Sequence, residues 1–324
     1  MKKSILLLFG LLLISLLGFV LFKYTNAPVP QTPLKIGINV WPGYAHAFIA
    51  QEKGFFQKQG VTVELVLKSE ITDVTQLYNK GELDGLFNVF TDIIMLDAIG
   101  LPTRVVYVAD YSDTGDVIIG RSEFDSLRDL NGKTLSFEGI GTFSQMFVLS
   151  LLEKAGIQEG EFQAANLPAH KVLEALNTGK IDAGHTWEPT TSQALEKGYK
   201  ILGKAGDIPG LITDVLAFHA NVIKERPDDV RRVVKAVLEA RDFLYAHPDE
   251  ALTIMAQAEG MSKAEMEMGV KGVYHPDLSE NIAAMQPGGT LFKSGQKTAE
   301  FYMKNGQLFR IPDFETIIDA QFIQ

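Results

Sequence analysis

The middle of this chain contains one order of predicted elements twice. Each copy has an apolar strand, a loop, a helix ended by glycine, a second strand and a short helix that leads into a Gly-x-apolar-Asp-small turn. The turns occupy residues 81–85 and 179–183, and the first strands are Leu34–Asn39 and Thr134–Phe137. Because each strand–helix–strand unit must bury its apolar face, the repeat predicts two α/β lobes, each with a parallel sheet. A cleft between two lobes is a place to hold a small molecule.

Composition excludes several classes of protein. At 324 residues the chain has room for about two domains, and 46% apolar residues is normal for a globular protein. A formal net charge of −10, without a stripe of Lys and Arg, argues against a nucleic-acid partner. The chain has no cysteine, which excludes disulfides, thiolate metal sites and cysteine nucleophiles. The six histidines lack metal-ligand spacing, so we expect neither a metal site nor a cofactor.

The amino terminus has the pattern of an export signal. Lys2 and Lys3 precede an uncharged, Leu-rich run over residues 4–22. This run is long enough to span a bilayer, which takes about 20 residues. A cut after Ala27 would leave Pro28 directly behind it, so we favour an uncleaved anchor over a cleaved signal peptide. The body is expected outside the cytoplasm in either case.

The sequence also indicates how the chain crosses between the lobes. We assign residues 1–27 to the signal anchor or signal peptide and 28–33, with three prolines, to a stiff linker. Residues 34–112 form the first lobe, 113–220 the second, and 221–324 return to the first. The polar turn at 112–116 is the predicted first crossing, and the extended stretch at 214–219 is the predicted return. The helices predicted from Pro227 onward should cover the outside of the first lobe.

The two tryptophans are predicted to face the cleft. In open α/β sheets, ligand sites lie beyond the carboxyl ends of the strands. Trp41 and Trp187 both lie on such loops, one in each lobe. Two aromatic rings on opposite walls can sandwich a flat or apolar ligand. The alternative is that each indole packs beneath its own lobe.

Carboxylates are concentrated on the same segments. They are Asp92, Asp113, Asp116, Glu138, Glu188 and Asp214. Few Lys or Arg residues lie among them, which favours a ligand with hydrogen-bond donors or positive charge. The alternative is that Asp92 and Glu188 cap helices, where the helix dipole alone explains an acid.

A loop rich in glycine and hydroxyl groups begins the long helix of the second lobe. Gly141, Thr142 and Ser144 can present backbone N–H groups to an anion. The loop is not a P-loop, because no Gly-Lys-Ser/Thr follows. A tight turn before a helix is an equally good interpretation.

The order of several motifs resembles a known family. The motifs lie at residues 41–44 (Trp-Pro-Gly-Tyr), 50–56, 81–85, 112–116, 127–133, 182–183, 187–189 (Trp-Glu-Pro) and 226–227. From residue 34 to the carboxyl end the chain is similar to the extracytoplasmic solute-binding proteins of nitrate, sulfonate and taurine ABC importers, a family with relatives for pyrimidine precursors of thiamine. The resemblance implies a two-lobed type II periplasmic-binding-protein fold with the ligand cleft between the lobes.

The same resemblance implies a set of pocket residues. They are Trp41, Tyr44, Asp92, Asp116, Gly141, Thr142 and Glu188. Two features depart from the family: a lipid-attachment cysteine is absent, and an acidic pocket suits an anion poorly. Thiamine-pyrimidine synthases are also similar, but their Cys-rich signature is missing.

We therefore expect the solute-binding component of an ABC import system rather than an enzyme. It would capture a small organic solute, of the sulfonate, taurine, nitrate or pyrimidine-like class, by hinge closure and would pass it to a membrane permease. We expect a monomer in the periplasm or on the outer face of the inner membrane, tethered by the amino-terminal helix. The alternatives are a sensory domain of the same fold and an enzyme that uses a cleft carboxylate as general base.

Overall fold

The computed structural model describes residues 32–324, and residues from Leu34 to Gln324 form one compact unit. The predicted anchor, its cleavage site and most of the predicted linker lie outside the described residues. Within residues 32–324, no helix is long and apolar enough to cross a membrane.

The strands form two sheets. The first contains β1 (Leu34–Asn39), β2 (Val63–Lys68), β3 (Gly85–Val89), β4 (Thr103–Ser112), β10 (Thr213–His219) and β11 (Val273–Tyr274), in the order β11-β4-β10-β3-β1-β2. The second contains β5 (Val117–Gly120), β6 (Thr134–Phe137), β7 (Gln163–Asn166), β8 (Ala183–Thr186) and β9 (Lys200–Lys204), in the order β7-β6-β8-β5-β9. The repeat accounts for β2-β1-β3 and β7-β6-β8, which are parallel and arranged alike.

The prediction of purely parallel sheets is wrong. Strand β10 runs antiparallel to β3 and β4, and β5 runs antiparallel to β8 and β9. Each of these two strands directly follows a crossing between the sheets. It therefore enters its sheet from the cleft, where the repeated strands end, and runs in the opposite direction.

Strand β10 also lies outside the lobe to which the sequence analysis assigned it. That analysis ended the second lobe at residue 220, whereas β10 lies between β3 and β4 in the first sheet. All of its residues but the last are buried, as expected for a central strand. The return crossing is thus made by residues 205–212.

The aspartate of the repeated turn makes the same bonds in both copies. The Lys35 N–H donates to Asp84 Oδ2 at 2.7 Å, and the Asp84 N–H donates to the Lys35 carbonyl at 2.8 Å. In the second copy, the Thr134 N–H donates to Asp182 Oδ2 at 2.9 Å, and the Asp182 N–H donates to the Thr134 carbonyl at 2.8 Å. The motif therefore ties the start of β3 to β1 and the start of β8 to β6.

Fourteen α-helices lie within residues 32–324. They are α1 (His46–Glu52), α2 (Phe55–Gln59), α3 (Ile71–Asn79), α4 (Phe90–Ala98), α5 (Phe143–Ala155), α6 (Val172–Asn177), α7 (Thr190–Glu196), α8 (Ala220–Glu225), α9 (Pro227–Ala246), α10 (Pro248–Glu259), α11 (Lys263–Lys271), α12 (Leu278–Met285), α13 (Thr290–Lys304) and α14 (Phe314–Ile317). The long α9 packs on α1 and α2 of the first lobe.

Candidate functional site

A small cavity lies where the loops of the two sheets meet. It is lined by Asn39, Trp41, Tyr44, Ile71, Val89, Asp116, Phe143, Trp187, Ile212 and Asp214. Its volume is ≈ 10 Å³, about the space of one water molecule. The lining comes from both halves of the repeat and from both crossings, so the cleft is closed around this inner cavity.

Hydrogen bonds between the lobes hold the closed arrangement. Trp187 Nε1 donates to the Val40 carbonyl at 3.2 Å. The Phe143 N–H, at the start of α5, donates to Asp92 Oδ1 in α4 at 2.8 Å. Both bonds must break when the lobes separate.

The two tryptophans contact each other within the cleft. Their ring centroids are 6.2 Å apart and their planes are nearly perpendicular, at 88°. Trp41 is 5% exposed and Trp187 is 7% exposed. Both indoles therefore border the inner cavity, in edge-to-face contact rather than as parallel walls. That they bind a ligand stays a prediction.

Two acids that the sequence analysis did not select hold Trp41. Its Nε1 donates to Asp110 Oδ2 at 3.2 Å, and its backbone N–H donates to Glu259 Oε1 at 3.1 Å. Burial raises the pKa of Glu259 to about 8. Asp110 follows directly on the apolar run of β4, so its position at a strand end was a usable signal. Glu259 is distant in sequence, and no sequence pattern indicated its contact with Trp41.

Asp110 and Asp214 form a buried pair of acids. They are register partners on the neighbouring strands β4 and β10, and each carboxyl group is close enough to affect the pKa of the other. Burial raises the pKa of Asp110 to about 8, although the bond from Trp41 opposes the rise. Burial, followed by the charges of Asp110 and Asp116, holds the pKa of Asp214 well above its usual range.

A buried chain of hydrogen bonds positions Asp116. The Glu138 N–H donates to Ser144 Oγ at 2.9 Å, and that hydroxyl lies 2.6 Å from His185 Nδ1. His185 Nε2 in turn lies 3.0 Å from Asp116 Oδ1. Because the serine oxygen accepts the backbone N–H, its proton can go to Nδ1, which leaves the Nε2 proton for Asp116. The chain fixes one oxygen of Asp116, a residue that lines the cavity, and leaves Oδ2 without a hydrogen-bond partner among the described residues.

Two predicted acids act on helix amino termini. Both oxygens of Glu188 accept bonds from Ser192, one from its N–H at 3.1 Å and one from its hydroxyl at 2.9 Å. This local bonding fits the helix-cap alternative. Asp92 caps α5 of the other lobe instead of its own helix, and burial raises its pKa to about 7.

The remaining predicted site residues lie away from the inner cavity. Asp113 is exposed on the first crossing. Glu138 accepts a bond from the Ala169 N–H at 2.8 Å, and burial raises its pKa to about 8. The Gly141 N–H donates to Gln145 Oε1 at 2.8 Å, and Thr142 caps α5.

A second cavity borders Trp187 on its other side. It measures ≈ 230 Å³ and is lined by Val40, Ser69, Glu70, Ala169, His170, Thr186, Trp187, Glu188, Pro189, Thr190, Glu259, Gly260 and Met261. These residues also come from both lobes. This outer cavity is large enough for a small organic group and carries three glutamates.

The site and the fold agree with comparisons to known proteins. The NMT1/THI5-like family profile matches residues 41–251. The chain belongs to the NMT1/THI5-like family. This match confirms the resemblance inferred from the motifs.

Two named relatives of this NMT1/THI5-like chain differ in kind. One, from Brucella abortus (strain 2308), is named as a candidate binding protein and is 27% identical over 77% of this chain and 79% of its own length. The other is a 4-amino-5-hydroxymethyl-2-methylpyrimidine phosphate synthase of Saccharomyces cerevisiae, 26% identical over 65% of this chain and 66% of its own length. The relatives of this chain thus include both a binding protein and an enzyme by name.

Solved structures confirm the predicted fold class. The ligand-binding component of an ABC-type import system from Staphylococcus aureus superposes with a TM-score of 0.77, at 17% identity, over 90% of this chain and 98% of its own. The periplasmic aliphatic sulphonate-binding protein of Escherichia coli gives a TM-score of 0.73, at 17% identity, over 89% and 97%. The two-lobed periplasmic-binding-protein fold is therefore shared.

Proposed function

We propose that this protein is the solute-binding component of an ABC import system and works outside the cytoplasm. It captures a small organic solute between its lobes and delivers it to a membrane permease. The observation that carries the proposal is the inner cavity, enclosed by side chains of both lobes and of both crossings. The family match and the names of the structural neighbours support it.

The two crossings are suited to act as a hinge. In the first crossing, the N–H groups of Asp113, Thr114 and Gly115 all donate to the carbonyl of Gly272, at 2.9–3.0 Å. These three bonds anchor the crossing to the first lobe, so the second lobe must rotate about the few residues that flank it. Opening then requires only the bonds between lobes to break, as in hinge closure of binding proteins.

An enzyme is the second candidate, because the yeast relative is named as a synthase. The one Ser–His–Asp series at the site is unsuited to nucleophilic catalysis. Ser144 is fully buried, and its oxygen already accepts the Glu138 N–H. We therefore propose binding without turnover.

The test is to purify the full chain without denaturation and to identify any released small molecule by mass spectrometry. We expect one solute per protein, recovered unchanged after prolonged incubation. Small-angle scattering should show expansion when the solute is removed by unfolding and refolding, and compaction when it is returned. Chemical conversion of the solute would favour the enzyme, and a protein that neither releases nor binds any solute would contradict the proposal.

A further inference from the structure

If the proposed function holds, the residues that line the inner cavity indicate the charge of the solute. We propose that the solute bears a protonated nitrogen group on a flat or apolar body. Asp116 and Asp214 bind this group once the lobes open and widen the inner cavity, which in the closed structure holds only ≈ 10 Å³. Asp110 acts behind Asp214 as a positioning residue.

The first observation is an acceptor that lacks a donor. Asp116 is 2% exposed and lines the inner cavity, and its buried Oδ2 has no hydrogen-bond partner among the described residues. A buried acceptor without a hydrogen-bond partner destabilises the protein, because it has lost its bonds to water and gained none in return. Asp214, also 2% exposed, lines the same cavity. A ligand that donates to both acids removes this cost.

The second observation is that no cation compensates these acids. Within residues 32–324, the lining of the inner cavity includes no Lys or Arg. The titratable groups facing the acid pair are Asp92 from α4, Asp116 from the first crossing, Glu259 from α10, Tyr44 from the loop after β1, and His185, through Asp116, from β8. Four of these groups add negative charge or none. An anionic solute would be repelled here, whereas a cation would be stabilised.

The aromatic lining suits the rest of such a solute. Trp41, Tyr44, Phe143 and Trp187 supply ring faces and edges around the acids. Aromatic faces attract cations and pack against flat bodies. An amidinium or guanidinium group can donate to two carboxylates at once, which a compact ammonium does less well.

Binding of a cation should displace a proton from the pair Asp110 and Asp214, because burial raises the pKa of both carboxyl groups. Asp110 Oδ1 and Asp214 Oδ2 are buried and have no hydrogen-bond partner among the described residues. When the cation arrives, the pair gives up one proton to the buffer and both carboxylates become charged. Because burial raises the pKa of Asp110 to about 8, the proton is present at neutral pH and affinity should increase up to that pH.

The experiment uses three probes of matched shape on the solute-free full chain. Benzamidinium is a cation, benzamide its neutral counterpart and benzenesulfonate an anion. Calorimetry in phosphate and in Tris, whose ionisation heats differ, counts released protons. We expect benzamidinium to bind at least about tenfold more tightly than the other two, with release of up to one proton. Equal or tighter binding of benzenesulfonate, or no binding of benzamidinium, overturns the proposal.

Matched variants locate the contact. Asp116→Asn and Asp214→Asn should each weaken benzamidinium binding about 10- to 100-fold, and Asp214→Asn should also abolish proton release. Asp113→Asn, at an exposed acid of the same crossing, should bind like wild type. Thermal melting checks that each variant is folded. If a cavity variant does not fold, the number of protons released when benzamidinium binds to Asp110→Asn gives a second measurement. Wild-type affinity in both cavity variants overturns the proposal. An anionic solute released from the native protein would do so too, while leaving the proposed function intact.

Discussion

The two copies of the repeat make the same contacts at the turn that joins their strands, but their loops at the cleft differ. Asp84 and Asp182 make the same pair of backbone bonds. The loop after β1 places Trp41 and Tyr44 in the lining of the inner cavity. The glycine loop after β6 instead donates hydrogen bonds within its own lobe, as the Gly141 N–H does. The comparison teaches that the same scaffold occurs twice, whereas only the first copy contributes residues of the loop after its first strand to the lining of the inner cavity.

The largest expected effect concerns the acids around that first loop. The carboxyl pKa values are raised to about 7 for Asp92 and about 8 for Asp110 and Glu259, from 3.8 or 4.5. Between about pH 4 and pH 8, the folded protein therefore binds more protons than the unfolded chain. The free energy of unfolding consequently decreases as pH rises through this range. We expect a total loss on the order of a few kcal/mol for the solute-free protein. Urea unfolding between pH 5 and 8.5 measures it.

A matched variant assigns part of this pH dependence to the cavity. Asp110→Asn should flatten the curve and raise the stability of the solute-free protein at pH 8, since it removes a buried acid. Asp113→Asn, at an exposed position, should leave the curve unchanged. Stability that stays level or rises from pH 5 to 8 would show that these acids are hydrated or paired, and would remove the contrast between the loops.

A glycine in each loop offers a direct test of the comparison. A Cβ at Gly43 would lie 2.3 Å from both Asp110 Oδ2 and Trp41 Nε1, so Gly43→Ala must break that hydrogen bond. We expect a loss of about 1–3 kcal/mol in stability and loss of solute binding. At Gly141, where φ is 80°, the nearest atom to a Cβ is Met95 Cε at 4.0 Å. Gly141→Ala should lose about 1–2 kcal/mol through backbone strain alone and should keep binding.

Chemical unfolding and titration with the released solute measure both variants. If Gly141→Ala also abolished binding at full occupancy of the folded state, the second loop would belong to the binding surface. The division of roles between the two copies would then be wrong.

The shared aspartates should respond alike. Asp84→Ala and Asp182→Ala each remove one carboxylate bond to a strand N–H and should lower the free energy of unfolding by about 1–2 kcal/mol. Asp182 Oδ1 also lies 3.3 Å from Arg121 Nε, and this half-buried surface ion pair adds little. Solute affinity should not change in either variant. Unequal losses, measured by urea unfolding, would show that the repeat is one of sequence only.

The sequence predicted the scaffold better than the site for a physical reason. Strand ends follow from apolar runs, so Trp41 and Trp187 were placed correctly on the cleft loops. Side-chain direction within a tight crossing depends on backbone angles that a pattern does not reveal. Asp113 and Asp116 are three residues apart, yet the first is exposed and the second is buried. Contacts between elements that are distant in sequence cannot be predicted from the sequence pattern either, as in the hydrogen bond from the Trp41 N–H to Glu259.

The smallest expected effect concerns the two indoles. Trp41→Phe removes the bond to Asp110, and Trp187→Phe removes the bond to Val40 of the other lobe, while each keeps a ring. Each should weaken binding by less than about tenfold, since one hydrogen bond between uncharged groups is worth about 0.5–1.5 kcal/mol. The two effects should be non-additive because the rings contact each other.

Intrinsic fluorescence separates the roles of the two indoles. Solute binding closes the cleft and changes the surroundings of both rings, so emission of the wild type should shift, and each single variant should keep part of the shift. Because Trp187 borders both cavities, Trp187→Phe should lose more of the signal than Trp41→Phe for a solute that reaches the outer cavity. If the released solute binds with no change in emission, the indoles are scaffold residues. The first loop would then differ from the second in packing rather than in recognition.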